Sequence, residues 1–332
     1  MKVQSLIPLA ATAALITSAA ASVTIDYVSV GYAGNVADTT NDPVGYGAVA
    51  YAYQIGKYEV TNAQYGAFLN AVDSSGANAN GVYNSLMGSN SRGGITYTPD
   101  AVSGAKYTIR TSMGDKPVNF VSWYDSARFT NWMNNGQGTG STETGAYTLS
   151  GNEGIITKNV GATVYIPSED EWYKAAYYDP TPGAGGGDNY WTYATQSDTV
   201  PTVASADYFT GDITNPGANV ANYNDGADWN GRNGNVTTVG SAAANSYFGT
   251  ADQAGNVEEW NDAVISDSKR GARGGSWVGG SGGISLRSSD RDSFGPSFEG
   301  VLLGFRVASV PEPTSLLLTM FAGGMMLIRR KR

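Results

Sequence analysis

Glycine occupies 44 of the 332 positions of this chain, while only 15% of the residues carry a charge. Glycine weakens the interior of helices and permits backbone conformations that other residues avoid. The hydrophobic fraction of 41%, with 21 Tyr and 7 Trp, still supplies a sizeable core. The composition therefore predicts a loop-rich body of one large domain or two small ones, rather than a helical bundle.

The chain contains no cysteine and no histidine. Without cysteine it can form neither disulfides nor thiolate metal sites, and it has no thiol nucleophile. Without histidine it can build neither a Ser-His-Asp triad nor the histidine sites that hold zinc or iron. We therefore expect neither copper nor iron as a cofactor.

The N-terminus has the features of a secretory signal peptide over residues 1–21. Lys2 supplies the charged region, residues 6–16 the apolar stretch, and residues 19–21 a cleavage site of three alanines. The alternative is a buried N-terminal helix. A signal peptide predicts export of the remaining chain.

The last segment, residues 309–332, combines three features. The triplet Pro311-Glu312-Pro313 precedes an apolar stretch at 314–328 and four basic residues at 329–332. As a helix the apolar stretch would span roughly 22 Å, short of a hydrocarbon core of about 30 Å. The basic end belongs on the cytoplasmic side, which leaves the body outside. The alternative is an ordinary tail anchor.

This segment resembles the PEP-CTERM sorting signal of Gram-negative bacteria. The resemblance implies an exosortase-type sorting protease as a partner. It also implies transient anchoring by a C-terminal transmembrane helix. We therefore expect a protein exported from a Gram-negative bacterium to the cell envelope or the extracellular space.

Removal of both segments would leave an acidic body. It would carry 15 Lys and Arg against 28 Asp and Glu, a formal net charge of −13. Such a charge disfavours nucleic acids and anionic membrane surfaces as partners. It suits a soluble extracellular protein that binds cations.

Local patterns predict a few short elements. Residues 23–28 and 51–55 alternate in polarity, as strands do. Ser168 followed by Glu171 forms a capping box at a helix start. Three helices are predicted, and their capping residues are Thr61, Ser122 and Ser168.

Irregular structure is expected in the second half. Residues 205–256 are rich in Asp, Asn and Gly and show little periodicity, whereas 273–308 should form short strands joined by glycine turns. Long irregular stretches are uncommon in compact domains. They need some other support, such as bound ions.

Five sequence blocks follow one another in a familiar order. They are IGKYEVTNAQYGAFLNA at 55–71, KPVNFVSWYDSARFTNWMN at 116–134, YIPSEDEWYKAAYYD at 165–179, GNVEEW at 255–260, and RGGSW at 273–277 with a closing GFR at 304–306. Together they resemble the formylglycine-generating enzyme family, also called the sulfatase-modifying-factor domain. The resemblance covers about residues 50–308 of a domain that we place at 22–308. It implies an α+β, loop-rich variant of the C-type lectin fold.

The resemblance also implies calcium as a structural cofactor. The side chains of Asp252 and Glu259 and the backbone carbonyls of Gly255 and Val257 match one family site. Calcium prefers six to eight hard oxygen ligands, which carboxylates and carbonyls supply. A second site would use the Asn222–Tyr223 region. Its further ligand is left open among Asp228, Asn230 and Asn233.

The chain departs from the family where the oxidase members react. They carry two cysteines just after GGSW, and here Gly279 and Ile284 lie near those positions. Glu258 stands where they place a tryptophan. Ser276 matches an active-site serine, which we interpret as a turn residue. Three arginines match family positions and are interpreted as salt-bridge partners rather than substrate ligands: Arg287, Arg291 and Arg306.

These observations favour a non-catalytic binding or structural module, exported to the envelope or an extracellular matrix. Many tyrosines and asparagines suit a glycan or protein ligand. The alternative is an oxidase of the formylglycine-generating type that acts on sulfatase cysteines, which the absence of cysteine disfavours. The sequence leaves open whether the protein has any enzymatic activity.

Overall fold

The computed structural model describes residues 22–149, 155–266, 269–280 and 282–310. The predicted signal peptide at 1–21 and residues 311–332 of the predicted sorting tail lie outside these ranges. Within them, no helix is long and apolar enough to cross a membrane.

Short helices occur mainly in the first half of the described chain. They are α1 (Asn62–Val72), α2 (Leu86–Ser89), α3 (Trp123–Asn134) and α4 (Glu169–Tyr177), with single 3₁₀ turns at Ala184–Gly187 and Ile284–Leu286. The three predicted helix starts are confirmed. Thr61, Ser122 and Ser168 each accept a hydrogen bond from the backbone N–H three residues on, and the capping box of Ser168 and Glu171 is present.

Strands are short and spread along the described ranges. They are β1 (Tyr27–Val30), β2 (Tyr53–Gly56), β3 (Ile95–Tyr97), β4 (Tyr107–Ile109), β5 (Val164–Tyr165), β6 (Thr202–Val203), β7 (Val220–Ala221), β8 (Glu258–Ser266), β9 (Lys269–Arg273), β10 (Asp292–Phe294), β11 (Leu303–Phe305) and β12 (Ala308–Ser309). Two four-stranded sheets have the orders β1-β2-β12-β5 and β10-β9-β8-β11, and β3-β4 and β6-β7 form separate pairs.

The first predicted strand begins later than expected. It covers Tyr27–Val30 rather than residues 23–28, and it pairs antiparallel with Tyr53–Gly56. Further upstream, the backbone N–H and carbonyl of Val23 bind the side-chain amide of Gln137, at 2.8 and 2.7 Å. These bonds satisfy the polar groups that a strand partner would otherwise take.

The main core lies between α1, α3 and the closing strand β11. Tyr65 and Phe68 of α1 pack on Phe129 of α3, with ring centroids 6.1 and 5.5 Å apart. Phe129 in turn lies 5.4 Å from Phe305 in an edge-on contact. Such aromatic pairs contribute about 0.5–1.5 kcal/mol beyond their buried area. They join the first and last motif blocks of the chain.

The second sheet brings distant motifs together. Strand β8 lies between antiparallel β9 and parallel β11, so that Glu259 is opposite both Arg273 and Gly304. The stretch 205–256 contains only the two-residue strand β7 and isolated bridges, as predicted. Its loops pack against the start of β8, where the site matched by the family resemblance lies.

Candidate functional site

A fully buried ion pair lies at the start of β8. Nε and Nη2 of Arg306 donate to the two carboxylate oxygens of Glu259, each at 2.6 Å. The indole N–H of Trp172 also donates to Glu259, at 2.8 Å, and Arg306 further binds the carbonyl of Ala251 at 2.9 Å. Both ions are therefore paired and hydrogen-bonded, as buried charges must be.

Two more carboxyl groups surround this pair. Burial raises the pKa of Asp252 to about 6, and burial together with the charge of Asp252 raises that of Glu59 well above its ordinary value. Asp252 accepts a hydrogen bond from the backbone N–H of Gly240, and one oxygen of Glu59 has no hydrogen-bond partner. Three carboxyl groups thus share one guanidinium. The surplus negative charge needs protons or a cation.

The loop before β8 supplies candidate oxygen ligands. Among the described contacts, the backbone carbonyls of Gly255 and Val257 accept no hydrogen bond. Gly255 has a φ of +89°, and a Cβ there would collide with the Asn222 carbonyl. Free carbonyls and surplus carboxylate fit a calcium ion. Glu259 fits less well, because both of its oxygens already bind donors.

No group of three or more acidic side chains in the described part of the chain is arranged to hold a metal. A cation at this loop would therefore depend on backbone carbonyls and Asp252 more than on clustered carboxylates. Calcium binding here stays a prediction.

The second predicted calcium region has a different character. The Asn222 side-chain oxygen is buried and lacks a hydrogen-bond partner, and so does the side-chain nitrogen of Asn235. The Asn222 amide nitrogen donates to the Asn235 carbonyl at 2.8 Å. Unsatisfied amide oxygen suits a calcium ligand, although no carboxylate joins these two residues. The sequence offered Asp228, Asn230 and Asn233, and none of them makes a hydrogen bond to Asn222.

Asn235 was missed because nothing in the sequence distinguishes it from the other asparagines of its loop. Only the fold of residues 222–237 places it beside Asn222. Tyr223 was predicted to contribute its backbone carbonyl to the second site. Its side chain is almost completely buried, and its hydroxyl donates to the Pro201 carbonyl at 2.7 Å.

The positions near the family's cysteines are unlike each other here. A Cβ at Gly279 would collide with the hydroxyl of Ser285, which is buried and lacks a partner. The side chain of Ile284 is 61% exposed. The carbonyl of Ser276 accepts from the N–H of Gly279 at 3.0 Å, the geometry of a turn. This arrangement has no reactive nucleophile of the kind that the oxidases use.

The arginines matched by the resemblance are mostly internal partners. Arg291 binds Glu169 at 2.6 Å, and Arg306 binds a different carboxylate, described above. The salt-bridge interpretation is confirmed for these two. Arg287 has no ion pair within the described residues. Its Nε donates instead to the hydroxyl of Tyr193 at 3.2 Å.

A further buried arginine was not singled out from the sequence. Arg273 is fully buried, binds Glu169 at 2.7 Å and Asp42 at 3.5 Å, and donates to the Ser288 carbonyl at 2.8 Å. It joins α4, the segment after GGSW, and the loop between β1 and β2 at residues 31–52, which we call the N-terminal loop. Its place as the first residue of the RGGSW block was the signal available.

Glu258, which the sequence resemblance matches to a tryptophan of the oxidases, is almost completely buried. Burial, followed by the neighbouring charges of Asp292 and Asp290, raises its pKa well above the ordinary value. A neutral carboxylic acid at this position is less costly to bury than a carboxylate.

Comparison with known proteins identifies the family and the fold. The model of the sulfatase-modifying factor enzyme 1-like domain matches residues 14–310. The crystal structure of CarF aligns with a TM-score of 0.50 at 23% identity, covering 87% of this chain and 99% of that one. Treponema denticola variable protein 1 aligns with a TM-score of 0.51 at 20% identity, covering 89% and 98%. No curated protein matches the chain.

At such identities the two structures show the fold alone. The predicted α+β, loop-rich fold, a variant of the C-type lectin fold, is confirmed. The family model covers most of the sequence, and GNVEEW, RGGSW and GFR meet in the sheet formed by β8, β9 and β11. The chain belongs to the sulfatase-modifying factor enzyme 1-like domain family.

Proposed function

We propose that this protein is an exported, non-catalytic binding module on a formylglycine-generating-enzyme-like scaffold. The observation that carries the proposal is the replacement of the reactive segment. A glycine whose surroundings exclude a side chain, and an exposed isoleucine, lie near the positions where the oxidases have cysteines. The chain contains no thiol that could substitute for them.

The fate of the arginines supports the same proposal. Arg273 and Arg291 share Glu169, and Arg306 is saturated by Glu259 and backbone carbonyls. Charged groups that could hold a substrate are thus used to fasten loops to the scaffold. Loops on a rigid scaffold are the usual place for ligand contacts.

Calcium and localisation complete the proposal. The free carbonyls of Gly255 and Val257, beside surplus carboxylates, support a structural calcium ion at the start of β8. The sequence features at both ends support export, cleavage by an exosortase-type protease, and release at the envelope or into an extracellular matrix.

The absence of oxidase chemistry is tested directly. The full-length protein is incubated with copper, oxygen and a peptide carrying a sulfatase motif, and peptide aldehyde is measured by mass spectrometry. We expect no conversion above a protein-free control. Conversion above that control would restore the alternative, an oxidase acting on sulfatase cysteines.

Export and binding need two separate measurements. The intact mass of the surface or secreted form should lack residues 1–21 and the segment after about Pro313. Retention of the four terminal basic residues on extracellular protein would instead indicate a simple membrane anchor.

Binding is measured on an array of glycans and secreted proteins, with and without calcium. An array with no ligand in either condition would contradict a binding module.

A further inference from the structure

A cleft with a volume of about 280 Å³ lies between the N-terminal loop and the segment after α4. It is lined by residues 36–40, Tyr178 and residues 188–190. Its volume is just below the range of about 300–1,000 Å³ that is typical of small-molecule sites. The cleft is separate from the β8 site and from the segment after GGSW described above.

The wall of the cleft is held rigidly by Asp38. Its carboxylate accepts from the backbone N–H groups of Thr40 and Asn41, each at 2.9 Å, and from the Tyr173 hydroxyl at 2.7 Å. Asp38 therefore fixes the loop and has little capacity left for a ligand. A preformed wall lowers the entropic cost of binding.

Other polar groups of the cleft remain unused. Among the described contacts, the hydroxyls of Thr39, Thr40 and Tyr178 make no hydrogen bond. The same holds for one carboxylate oxygen of Asp188, whose other oxygen binds the Tyr190 N–H, and for the Asn189 side-chain oxygen. The cleft thus offers three hydroxyls and two pure acceptors. Its ligand must supply several donors.

An aromatic surface continues from the cleft. We call Tyr32, Tyr178, Tyr247 and Phe248 the tyrosine shelf. Tyr178 lies 5.1 Å from Tyr190 inside the cleft, and it stacks on Phe248 with ring planes 19° apart. Tyr32 lies 6.5 Å from Tyr178 and 6.2 Å from Tyr247. Tyr32 and Tyr247 are exposed, whereas Tyr178 and Phe248 are half-buried beneath them. Exposed aromatic rings clustered in one patch mark interaction sites on soluble proteins.

The charge of the cleft excludes acidic ligands. No lysine or arginine lines it, and its two charged residues are Asp38 and Asp188. The ammonium group of Lys174 lies 5.7 Å from the Tyr178 ring, and it is already bound to the Tyr32 carbonyl at 2.9 Å. A proline-rich peptide, the other common ligand of tyrosine surfaces, has no N–H at its prolines and so offers fewer backbone donors to the two free acceptors. Sugar hydroxyls can donate to them.

We propose that the cleft and the tyrosine shelf together bind a neutral saccharide chain. One sugar ring would occupy the cleft, and the adjoining rings would lie on the shelf. This inference rests on the proposed function as a binding module and names its ligand class and its location.

The test uses the full-length protein in affinity electrophoresis through gels that contain dextran, galactomannan or xylan. Alginate and dextran sulfate serve as acidic polysaccharides, and a proline-rich peptide is titrated by fluorescence. We expect retardation by at least one neutral polysaccharide and none by the acidic ones. Tyr32→Ala should weaken binding about tenfold, within the range measured for aromatic contacts, and Tyr178→Phe should weaken it by removing one hydroxyl.

The matched control is Tyr208→Ala. Tyr208 is 56% exposed, Tyr32 is 55% exposed, and Tyr208 lines neither the cleft nor the shelf. Melting temperatures confirm that each variant folds.

Equal loss of polysaccharide binding in Tyr32→Ala and Tyr208→Ala, or no loss in either variant, would refute this location while leaving the proposed binding module intact. Retention only by acidic polysaccharides, or binding only of the peptide, would refute the ligand class. Wild-type protein that binds none of these probes refutes the saccharide inference, whereas the array decides the proposed function independently.

Discussion

Arg306 and Glu259 form a two-pronged ion pair with no exposure to solvent, with both N···O distances at 2.6 Å. The pair joins the last motif block, GFR, to the GNVEEW block. Its planar guanidinium also binds the carbonyls of Gly56 and Ala251. One arginine thus connects three segments that are far apart in the sequence.

Arg306→Ala should lower the free energy of unfolding by about 3–5 kcal/mol, because it leaves the buried Glu259 carboxylate unpaired. Urea unfolding measures the change. Arg128→Ala is the control, since Arg128 binds Glu143 at 2.7 Å but both side chains are partly exposed. That pair should contribute about 0–1 kcal/mol. Equal losses in the two variants would contradict a special role for the buried pair.

Stability should rise as the pH falls from 8 to about 5.5. The folded-state pKa of Asp252 is about 6 and that of Glu59 is raised well above its ordinary value, while unfolded carboxyls titrate at about 4. The folded protein therefore holds protons that the unfolded chain has released. The stabilisation is complete below the unfolded pKa and is lost as the pH rises through the folded pKa. Burial shifts Glu258 in the same direction.

Thermal melting at both pH values, in calcium-free buffer, checks this. Glu59→Gln should flatten the dependence, because an amide can keep the hydrogen bond from the Asn256 side chain without a charge. A melting temperature that is higher at pH 8 than at pH 5.5 in the wild type would be the opposite of the expected result.

Calcium should raise the melting temperature, and more so at pH 8 than at pH 5.5, because protons on Asp252 compete with the metal. A ligand that binds only the native state stabilises it by about 2.7 kcal/mol at a hundredfold excess over Kd. Asp252→Asn should remove most of the effect. Glu259→Ala is a poor probe, since it also strands Arg306. Identical melting of metal-free protein in calcium and in chelator at pH 8 would rule the site out.

Gly279→Ala should destabilise the protein by about 1–3 kcal/mol, the usual cost of overpacking. A methyl group there meets the buried Ser285 hydroxyl, so adding Ser285→Ala to the same chain should restore part of the loss. Gly280→Ala is the control, because its Cβ would meet no atom within 4 Å. Chemical denaturation of all four proteins gives the comparison. Similar values for Gly279→Ala and Gly280→Ala would disprove the steric argument.

The features that the sequence predicted correctly depend on interactions between residues that are close together in the chain. The capping residues Thr61, Ser122 and Ser168 start helices because each bonds a backbone N–H only three residues away. The motif blocks identified the fold, and the absence of cysteine and histidine excluded whole classes of chemistry without any structure. These inferences depend on residue identity and on neighbours within a few positions.

Long-range packing decided the remainder. Asn222 binds Asn235 within a loop that has no periodicity. Glu169 binds both Arg273 and Arg291, which are far from it in the sequence. The surplus negative charge around Glu259 likewise arises from segments that are far apart. The cleft beside Tyr178 likewise exists only because the N-terminal loop lies against the segment after α4. No pattern in the sequence encodes these distances, since irregular loops have no repeat from which spatial neighbours follow. The sequence by itself therefore determined the family, the helix starts and the absence of thiol and imidazole chemistry. Tertiary packing decided which polar groups bind one another inside the scaffold and which remain free to bind a ligand.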